Sequence, residues 1–342
     1  MEQERIAPER AVQAVTLSVV IPTWNRRALT QRAVDSVLAQ QGSDELEVIV
    51  VDDGSSDGTE AALKLRYGGD ARVRVVAGAH RGASAARNVG FGLTRGEYVC
   101  FLDSDDFWTA GVLPAVWRIF ALYPELAFVS VDGSVMPKPG IPEVARVMRM
   151  TAPGWTHARF ERAPLLRQRL RLHDKEQETL VLRGDFFPAI VNGDLFSLNG
   201  MYLRRATVQG AGPFNERFRW YNDWEFTARV CLQGSGAYLD HEGFRRDVGR
   251  PDEISRGHSE ADMTRRHLYI LRTLPTRFPG SAARHADHLH DALVDAQYQM
   301  GKALAHTRRR RWARRYLVRC LRERYKLGRC MALLAFSFLA RP

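Results

Sequence analysis

This chain is poor in cysteine, has no long hydrophobic run, and carries no charge imbalance outside one segment. Each shortage excludes something. The four cysteines (Cys100, Cys231, Cys320, Cys330) form no Cys-x-x-Cys pair. They support neither a zinc site nor a disulfide framework, and they fit a reducing, cytoplasmic compartment. No stretch reaches the roughly 18 consecutive apolar residues read as a membrane-spanning helix. Met1 to Glu9 is charged and lacks the apolar centre of a signal peptide. The net charge of +11 hints at nucleic acid until it is located. Residues 302–329 hold twelve Lys or Arg and one acid, Glu323, which accounts for all of it. The rest is neutral, with 38 bases against 38 acids. A nucleic-acid partner is therefore not expected.

What is present is a dense acidic sequence at a telling place. Asp103-Ser104-Asp105-Asp106 directly follows Tyr98 to Leu102, an apolar run that reads as a buried parallel strand. Carboxylates there lie at the carboxyl edge of an open α/β sheet, where ligands bind. An Asp-x-Asp pair offers hard oxygen ligands to a divalent cation, and the cation can hold a diphosphate. The plain alternative is an Asp-rich turn or helix N-cap.

Strand-helix alternation runs through the first 125 residues. Strands are expected at 17–21, 46–51, 73–76 and 98–102, the first stopped by Pro22. Helices are expected near 28–40, 59–65 and 84–93. This order predicts an α/β fold with a mainly parallel sheet covered on both faces. Right-handed crossovers put every strand end on one edge. Pro22-Thr23-Trp24-Asn25, Asp52-Asp53 and Asp103-Ser104-Asp105 should therefore meet around one crevice. Beyond Asp106 the pattern loosens. Residues 137–178 read as a loop-rich insertion with some helix. Strand-like segments follow at 180–182, 189–193 and 199–203, then a turn at 210–216 and a helix at 224–234. From Asp262 onward the pattern is helical throughout.

Other motifs carry weaker signals. Asp52-Asp53-Gly54-Ser55-Ser56-Asp57-Gly58 places carboxylates and tight turns at a strand end. Such a carboxylate can accept from a base imide or a ribose hydroxyl, or it can simply cap the next helix. Arg81 to Gly90 opens a helix with small residues, and Arg87 on it can reach a phosphate or lie solvated.

Together the motifs carry a resemblance. Ser18 to Arg26, Val50 to Thr59, Ala85 to Gly90 and Gly96 to Asp106, in this order, closely resemble the family 2 inverting glycosyltransferases of GT-A fold. The match is strong over about 16–130 and weaker to about 256. Gly212-Pro213-Phe214-Asn215-Glu216 resembles that family's Gly-Gly-Phe-Asp-Glu. Tyr221-Asn222-Asp223-Trp224-Glu225 resembles its acceptor motif, with Asn222 where Glu or Gln is usual. Phe244-Arg245-Arg246-Asp247 resembles a later segment, with Asp247 in place of a His.

The resemblance implies a sheet that binds nucleotide, flanked by helices. It implies three parts: a tail at 1–15, a catalytic domain at 16–261, and a basic helical extension at 262–342. Within the domain, 16–130 would hold the nucleotide-sugar and 131–261 the acceptor. It implies transfer of a sugar from a nucleotide-diphosphate sugar, most commonly a UDP-sugar, with inversion. The acceptor would be a saccharide or lipid-linked hydroxyl, in bacterial surface polysaccharide or glycolipid synthesis. Asp105 and Asp103 would hold Mg²⁺ or Mn²⁺. Pro22, Thr23, Asn25, Asp53, Arg87, Asp103 and Ser104 would line the donor side, Asn222 and Trp224 the acceptor side. Asp223 would be the general base.

Two rival readings exist. A nucleotidyltransferase would have a Gly-rich loop after its first strand, and Pro22 to Arg26 has no glycine. A non-catalytic sugar-nucleotide or membrane-binding module would have lost Asp105 or Asp223. In the C-terminal segment, Ala313, Leu317, Leu321 and Tyr325 recur every fourth residue among arginines. Residues 302–340 would then either lie on an anionic membrane surface, peripheral to its inner face, or pack on the domain.

Overall fold

The computed structural model describes residues 16–42, 45–136, 163–172, 178–193, 195–218, 220–249, 259–305, 307 and 309–339. The expected tail at 1–15 and most of the insertion at 137–178 lie outside the described residues.

The N-terminal half alternates as its sequence predicts. Strands β1 (Leu17–Thr23), β2 (Leu46–Asp52), β3 (Val73–Ala77) and β4 (Tyr98–Phe101) are separated by helices α1 (Arg27–Leu38), α2 (Thr59–Tyr67) and α3 (Ala83–Gly92). The four strands are parallel neighbours in the order β3-β2-β1-β4. β1, β2 and β4 are buried along their whole length, as expected for strands covered on both faces. Helix α3 lies close on β1: a Cβ on Gly90 would come within 2.3 Å of Val20.

One boundary differs in a way that matters. β1 continues through Pro22 to Thr23, with Pro22 paired to Val51. Thr23 accepts from the Asp53 amide at 2.8 Å, so Pro22, one residue earlier, faces the β4 side. β4 has already ended there, and the missing proline N–H leaves no bond unmade.

The sheet continues past the region that the sequence resolves well. After β5 (Phe107–Trp108) come α4 (Val112–Leu122) and β6 (Phe128–Val135). β7 (Leu165–Arg171) and β8 (Glu178–Gly184) form an antiparallel pair. A single helical turn, α5 (Phe187–Ile190), takes the first two residues of the segment expected as a strand at 189–193, and the other three form a turn and bend. β9 (Met201–Arg204), α6 (Arg205–Ala211), α7 (Asn222–Cys231) and β10 (Gly236–Arg246) follow. Ten strands form one sheet in the order β3-β2-β1-β4-β9-β6-β10-β8-β7, with β5 on β10. β9 is antiparallel to both β4 and β6.

The C-terminal extension is helical: α8 (Glu260–Arg277), α9 (Pro279–Ala283), α10 (Ala286–Ala305), α11 (Arg310–Arg322) and α12 (Leu327–Leu339). Ser259 caps α8 by accepting from the Asp262 amide. Leu268, Ile270, Leu271 and Leu274 of α8 join the same core as Phe186, Trp224 and Phe226. The extension thus shares one hydrophobic core with the sheet. Of the apolar row at 313, 317, 321 and 325, Ala313 and Leu317 are fully buried. Tyr325 donates its hydroxyl to Asp295 of α10 at 2.5 Å. That row packs inward, the second of the two arrangements that its periodicity allows. Among the described residues, no helix is long and apolar enough to cross a membrane.

Candidate active site

The carboxyl ends of β1, β2 and β4 share one edge, and the expected donor-side residues gather there. Asn25 has a left-handed backbone, φ 51°. Its side chain accepts from the Ser56 amide at 2.8 Å, and its own amide donates to Ser55 Oγ at 2.8 Å. The loops after β1 and β2 are thereby tied together. Pro22 and Thr23 are buried beside them. Thr30 gives its hydroxyl proton to the Arg26 carbonyl, so Thr23 donates to Thr30 across 2.6 Å. The Thr23 oxygen then keeps acceptor capacity.

Asp53 is 6% exposed. Its two oxygens accept from the Arg81 amide at 3.0 Å and the Gly82 amide at 2.6 Å. These bonds fix the entry to α3. The neighbouring Asp52 accepts from the Ser55 amide at 2.8 Å, which closes the Asp-Gly-Ser turn.

The acidic loop after β4 is the centre of the site. Asp103, Asp105 and Asp106 each bring a carboxylate oxygen within 4.8 Å of the others. They are not equivalent. Asp106 is buried, accepting from Asn199 Nδ2 at 2.6 Å and from the Asp247 amide at 3.0 Å. Burial, together with the nearby Asp105 and Asp103 charges, pushes its pKa up to about 8 against the opposing pull of Arg246. Asp103 and Asp105 are more open, with side chains 37% and 18% exposed. Burial works against the Asp103 anion, but the Arg87 guanidinium outweighs it and holds the carboxyl below its ordinary range. Arg87 donates Nη2 to Asp103 at 2.5 Å, and Arg26 pairs with Asp105 at 3.0 Å. Ser104, between them, is buried.

The chemistry of this donor set fits a divalent cation: oxygen ligands only, with the two accessible carboxylates flanked by arginines. Arg87 adds a second sign. It is 6% exposed, yet its Nε and Nη1 have no hydrogen-bond partner. Unpaired buried guanidinium donors beside carboxylates suit an anionic group such as a diphosphate.

Two residues that the sequence did not single out organise this loop. Asn199 receives the Asp103 amide at 2.7 Å and donates to Asp106, while its carbonyl accepts the Trp108 indole at 2.9 Å. Arg32 on α1 donates to the Asp105 carbonyl at 2.5 Å and pairs with Asp247 at 2.9 Å. Asp247 thus meets the loop through Arg32 and through its own amide. Asn199 was visible only as the start of an apparent strand, and no motif in the sequence marks Arg32.

On the other side of α3 stands the turn that carries Asp223. Tyr221 takes a left-handed conformation, φ 66°, immediately before α7. Asp223 is half-buried in the first turn, and its amide donates to Asn222 Oδ1 at 2.9 Å. Among the described residues, its carboxylate has no hydrogen-bond or ion-pair partner. The two residues expected beside it on the acceptor side have moved behind it. Asn222 is 6% exposed and donates to Ser84 Oγ on α3 at 2.7 Å. Trp224 is fully buried, with its indole N–H on the Ile190 carbonyl at 2.8 Å. A neutral amide suits the Asn222 position, where a glutamate would bury a charge.

Helix α3 connects the two sides. Ser84, Arg87 and Asn88 are spaced i, i+3, i+4 and share a face. Ser84 holds the Asp223 turn and Arg87 holds Asp103. Asn88 exchanges bonds with the Phe214 backbone, at 2.7 and 3.0 Å. The segment 211–213 is in turn clamped by Arg229, whose buried guanidinium reaches the carbonyls of Ala211, Gly212 and Pro213 and pairs with Glu225 at 2.7 Å.

Comparison with known proteins bears on the domain and the fold. Residues 18–179 match the Glycosyl transferase family 2 profile. The chain is 26% identical over 247 residues to a GalNAc(5)-diNAcBac-PP-undecaprenol beta-1,3-glucosyltransferase of Campylobacter jejuni, covering 71% of this chain and 68% of the relative. It is 37% identical over 127 residues to a putative teichuronic acid biosynthesis glycosyltransferase of Bacillus subtilis, covering 37% of this chain and half (50%) of the relative. Residues 1–349 of S. aureus TarS, solved in complex with UDP-GlcNAc, superpose with a TM-score of 0.61 at 18% identity, over 94% of this chain and 89% of that one. Residues 18–179 of this chain therefore carry a family 2 glycosyltransferase domain, on a GT-A fold like that of TarS.

Proposed function

We propose that the protein is a metal-dependent, inverting glycosyltransferase. In this reading it moves a sugar from a nucleotide-diphosphate sugar to a hydroxyl of a saccharide or lipid-linked acceptor. The observation that carries the proposal is the acidic loop. Three carboxylate oxygens within 4.8 Å lie at the edge of a nucleotide-binding type of sheet, gripped from α3 by an arginine with two unpaired donors. UDP is the favoured nucleotide, because the TarS neighbour was solved with UDP-GlcNAc. The Campylobacter and Bacillus relatives favour bacterial surface polysaccharide or glycolipid synthesis. Work on acceptors of that kind would be done in the cytoplasm, at the inner face of the membrane.

Asp105 and Asp103 would hold Mg²⁺ or Mn²⁺, with Asp106 behind them. The cation supplies a Lewis acid that neutralises the leaving diphosphate. The remaining work belongs to the chain. Arg87 offers Nε and Nη1 to a phosphate oxygen while Nη2 keeps Asp103 ionised. Thr23 and Asp53, at the ends of β1 and β2, read the base, with Pro22 and Asn25 shaping that wall. The Asp223 carboxylate, without a partner among the described residues, takes the proton of the attacking acceptor hydroxyl. Attack on the face opposite the leaving diphosphate inverts the anomeric carbon.

Thermal shift and donor hydrolysis against a panel of nucleotide-sugars, with Mn²⁺, Mg²⁺ or EDTA, test the reading. Stabilisation by a donor should require the metal. Tight nucleotide binding without turnover of any donor would instead favour a non-catalytic binding module.

A further inference from the structure

The C-terminal helices leave a second surface that the glycosyltransferase site does not use. Half of the large apolar side chains exposed among the described residues fall between Trp312 and Phe338. On α12, Leu327, Met331 and Phe338 are 45%, 59% and 65% exposed. With the exposed Ala335 they are spaced i, i+4, i+8, i+11, so they form one stripe along one face. The adjoining face of α12 carries the buried Cys330 and Ser337.

Helix α11 runs beside it with the complementary stripe. Arg311, Arg315, Arg319 and Arg322 are all exposed and follow the same i, i+4, i+8, i+11 spacing. The inward face of α11 buries Ala313, Leu317 and Cys320. The two helices are tied at one end. Arg314 donates to the Ser337 carbonyl at 2.6 Å and lies 3.7 Å over the Phe338 ring, while Arg315 covers the exposed Trp312 at 4.8 Å. An apolar ridge and an arginine row are thus carried by two adjoining helices joined through Arg314.

We propose that this α11–α12 face docks on an anionic lipid bilayer. Leu327, Met331 and Phe338 enter the boundary between headgroups and acyl chains, and the arginine row lies over lipid phosphates. Charge complementarity selects this occupant over a second copy of the chain. Residues 302–329 carry a net +11, and self-pairing through this face would set two such segments against each other. Docking in this way uses other residues than the every-fourth-residue row that starts on α11. The row at 313, 317, 321 and 325 packs on α10, and the face that remains is the ridge of α12. It does not depend on the proposed glycosyl transfer, although a membrane-bound acceptor would give it a purpose.

The test is co-sedimentation of the full chain with vesicles of phosphatidylcholine, with and without phosphatidylglycerol, at low and high salt. Binding should require phosphatidylglycerol and weaken as salt rises. Met331→Glu with Phe338→Glu should lower partitioning about tenfold or more. Leu65→Glu, an exposed apolar site on α2, should leave it unchanged. The thermal unfolding and nucleotide-sugar response of each variant, measured in parallel, separate a lost surface from a lost fold or a failed donor site. Equal binding to neutral vesicles, or no binding at all, would overturn the proposal. So would a concentration-dependent dimer in solution that Met331→Glu dissolves.

Discussion

Asn222 donates its side-chain amide to the Ser84 hydroxyl at 2.7 Å, joining residues 138 apart in sequence. Ser84 passes its own proton to the Phe218 carbonyl at 3.3 Å. The turn that presents Asp223 is therefore fastened to α3, and three residues further along that helix Arg87 is fastened to Asp103. The position of the proposed base is referred to the donor loop through a single helix.

Ser84→Ala should break this reference. It leaves the buried Asn222 amide and the Phe218 carbonyl unpaired, at a cost of about 1–3 kcal/mol each where no water replaces the hydroxyl. The expected result is a lower melting temperature and a fall in kcat with acceptor, while donor-dependent stabilisation persists. Calorimetry and steady-state kinetics on the same variant check it. An unchanged kcat would mean that the turn is held by other contacts.

Asp223→Asn keeps the shape of the first turn of α7 and removes the base. Transfer should fall by about 10²–10⁴-fold, the usual share of a general base. Binding of nucleotide-sugar, read as thermal shift, should stay as in the parent. A comparable loss of donor binding would show that Asp223 belongs to the donor side instead.

How far this site could be read in advance follows from burial. β1, β2 and β4 are covered on both faces, and such strands read as unbroken apolar runs. Their ends, Thr23, Asp52 and Asp103, were therefore legible, and with them the crevice. β6 and β10 were not, because Ser130, Asp132, Gly133 and Ser134 interrupt the buried apolar residues of β6, and Asp240, His241, Glu242 and Gly243 those of β10. Gly133 is required there, since a Cβ would sit 2.4 Å from the Phe244 ring. Small and polar residues paired across a sheet leave no period to find. Asn199 was hidden for the same reason: its role lies in bonds to Asp103 and Asp106, almost a hundred residues earlier. Trp224 misled in the opposite direction. It sits beside Asp223 in the sequence, but the helical repeat turns it into the core.

The C-terminal helices carry a pH dependence of their own. Burial opposes the Asp295 anion, but hydrogen bonds from Lys326 at 2.9 Å and Tyr325 at 2.5 Å outweigh it and lower its pKa below the ordinary 3.8. A carboxyl with a depressed folded-state pKa stabilises the fold above its unfolded value. That contribution is lost as pH falls through the folded value. Docking of α11 and α12 on α10 should therefore loosen below about pH 4. Asp295→Asn should already lack this increment at neutral pH and show a flatter acid profile. Amide hydrogen exchange across 310–339, followed from about pH 6 to about pH 3, reports it; identical profiles for the two proteins would contradict it.

The most direct test of the central claim is metal-dependent donor binding in Asp105→Ala. In the parent protein, a UDP-sugar with Mn²⁺ should raise the melting temperature, and EDTA should abolish the rise. In Asp105→Ala the rise should be absent with or without metal, while the melting temperature of the free protein stays close to the parent's. Full donor stabilisation in that variant, or equal stabilisation of the parent in EDTA, would contradict the assignment of the acidic loop as the centre that holds the metal and the diphosphate.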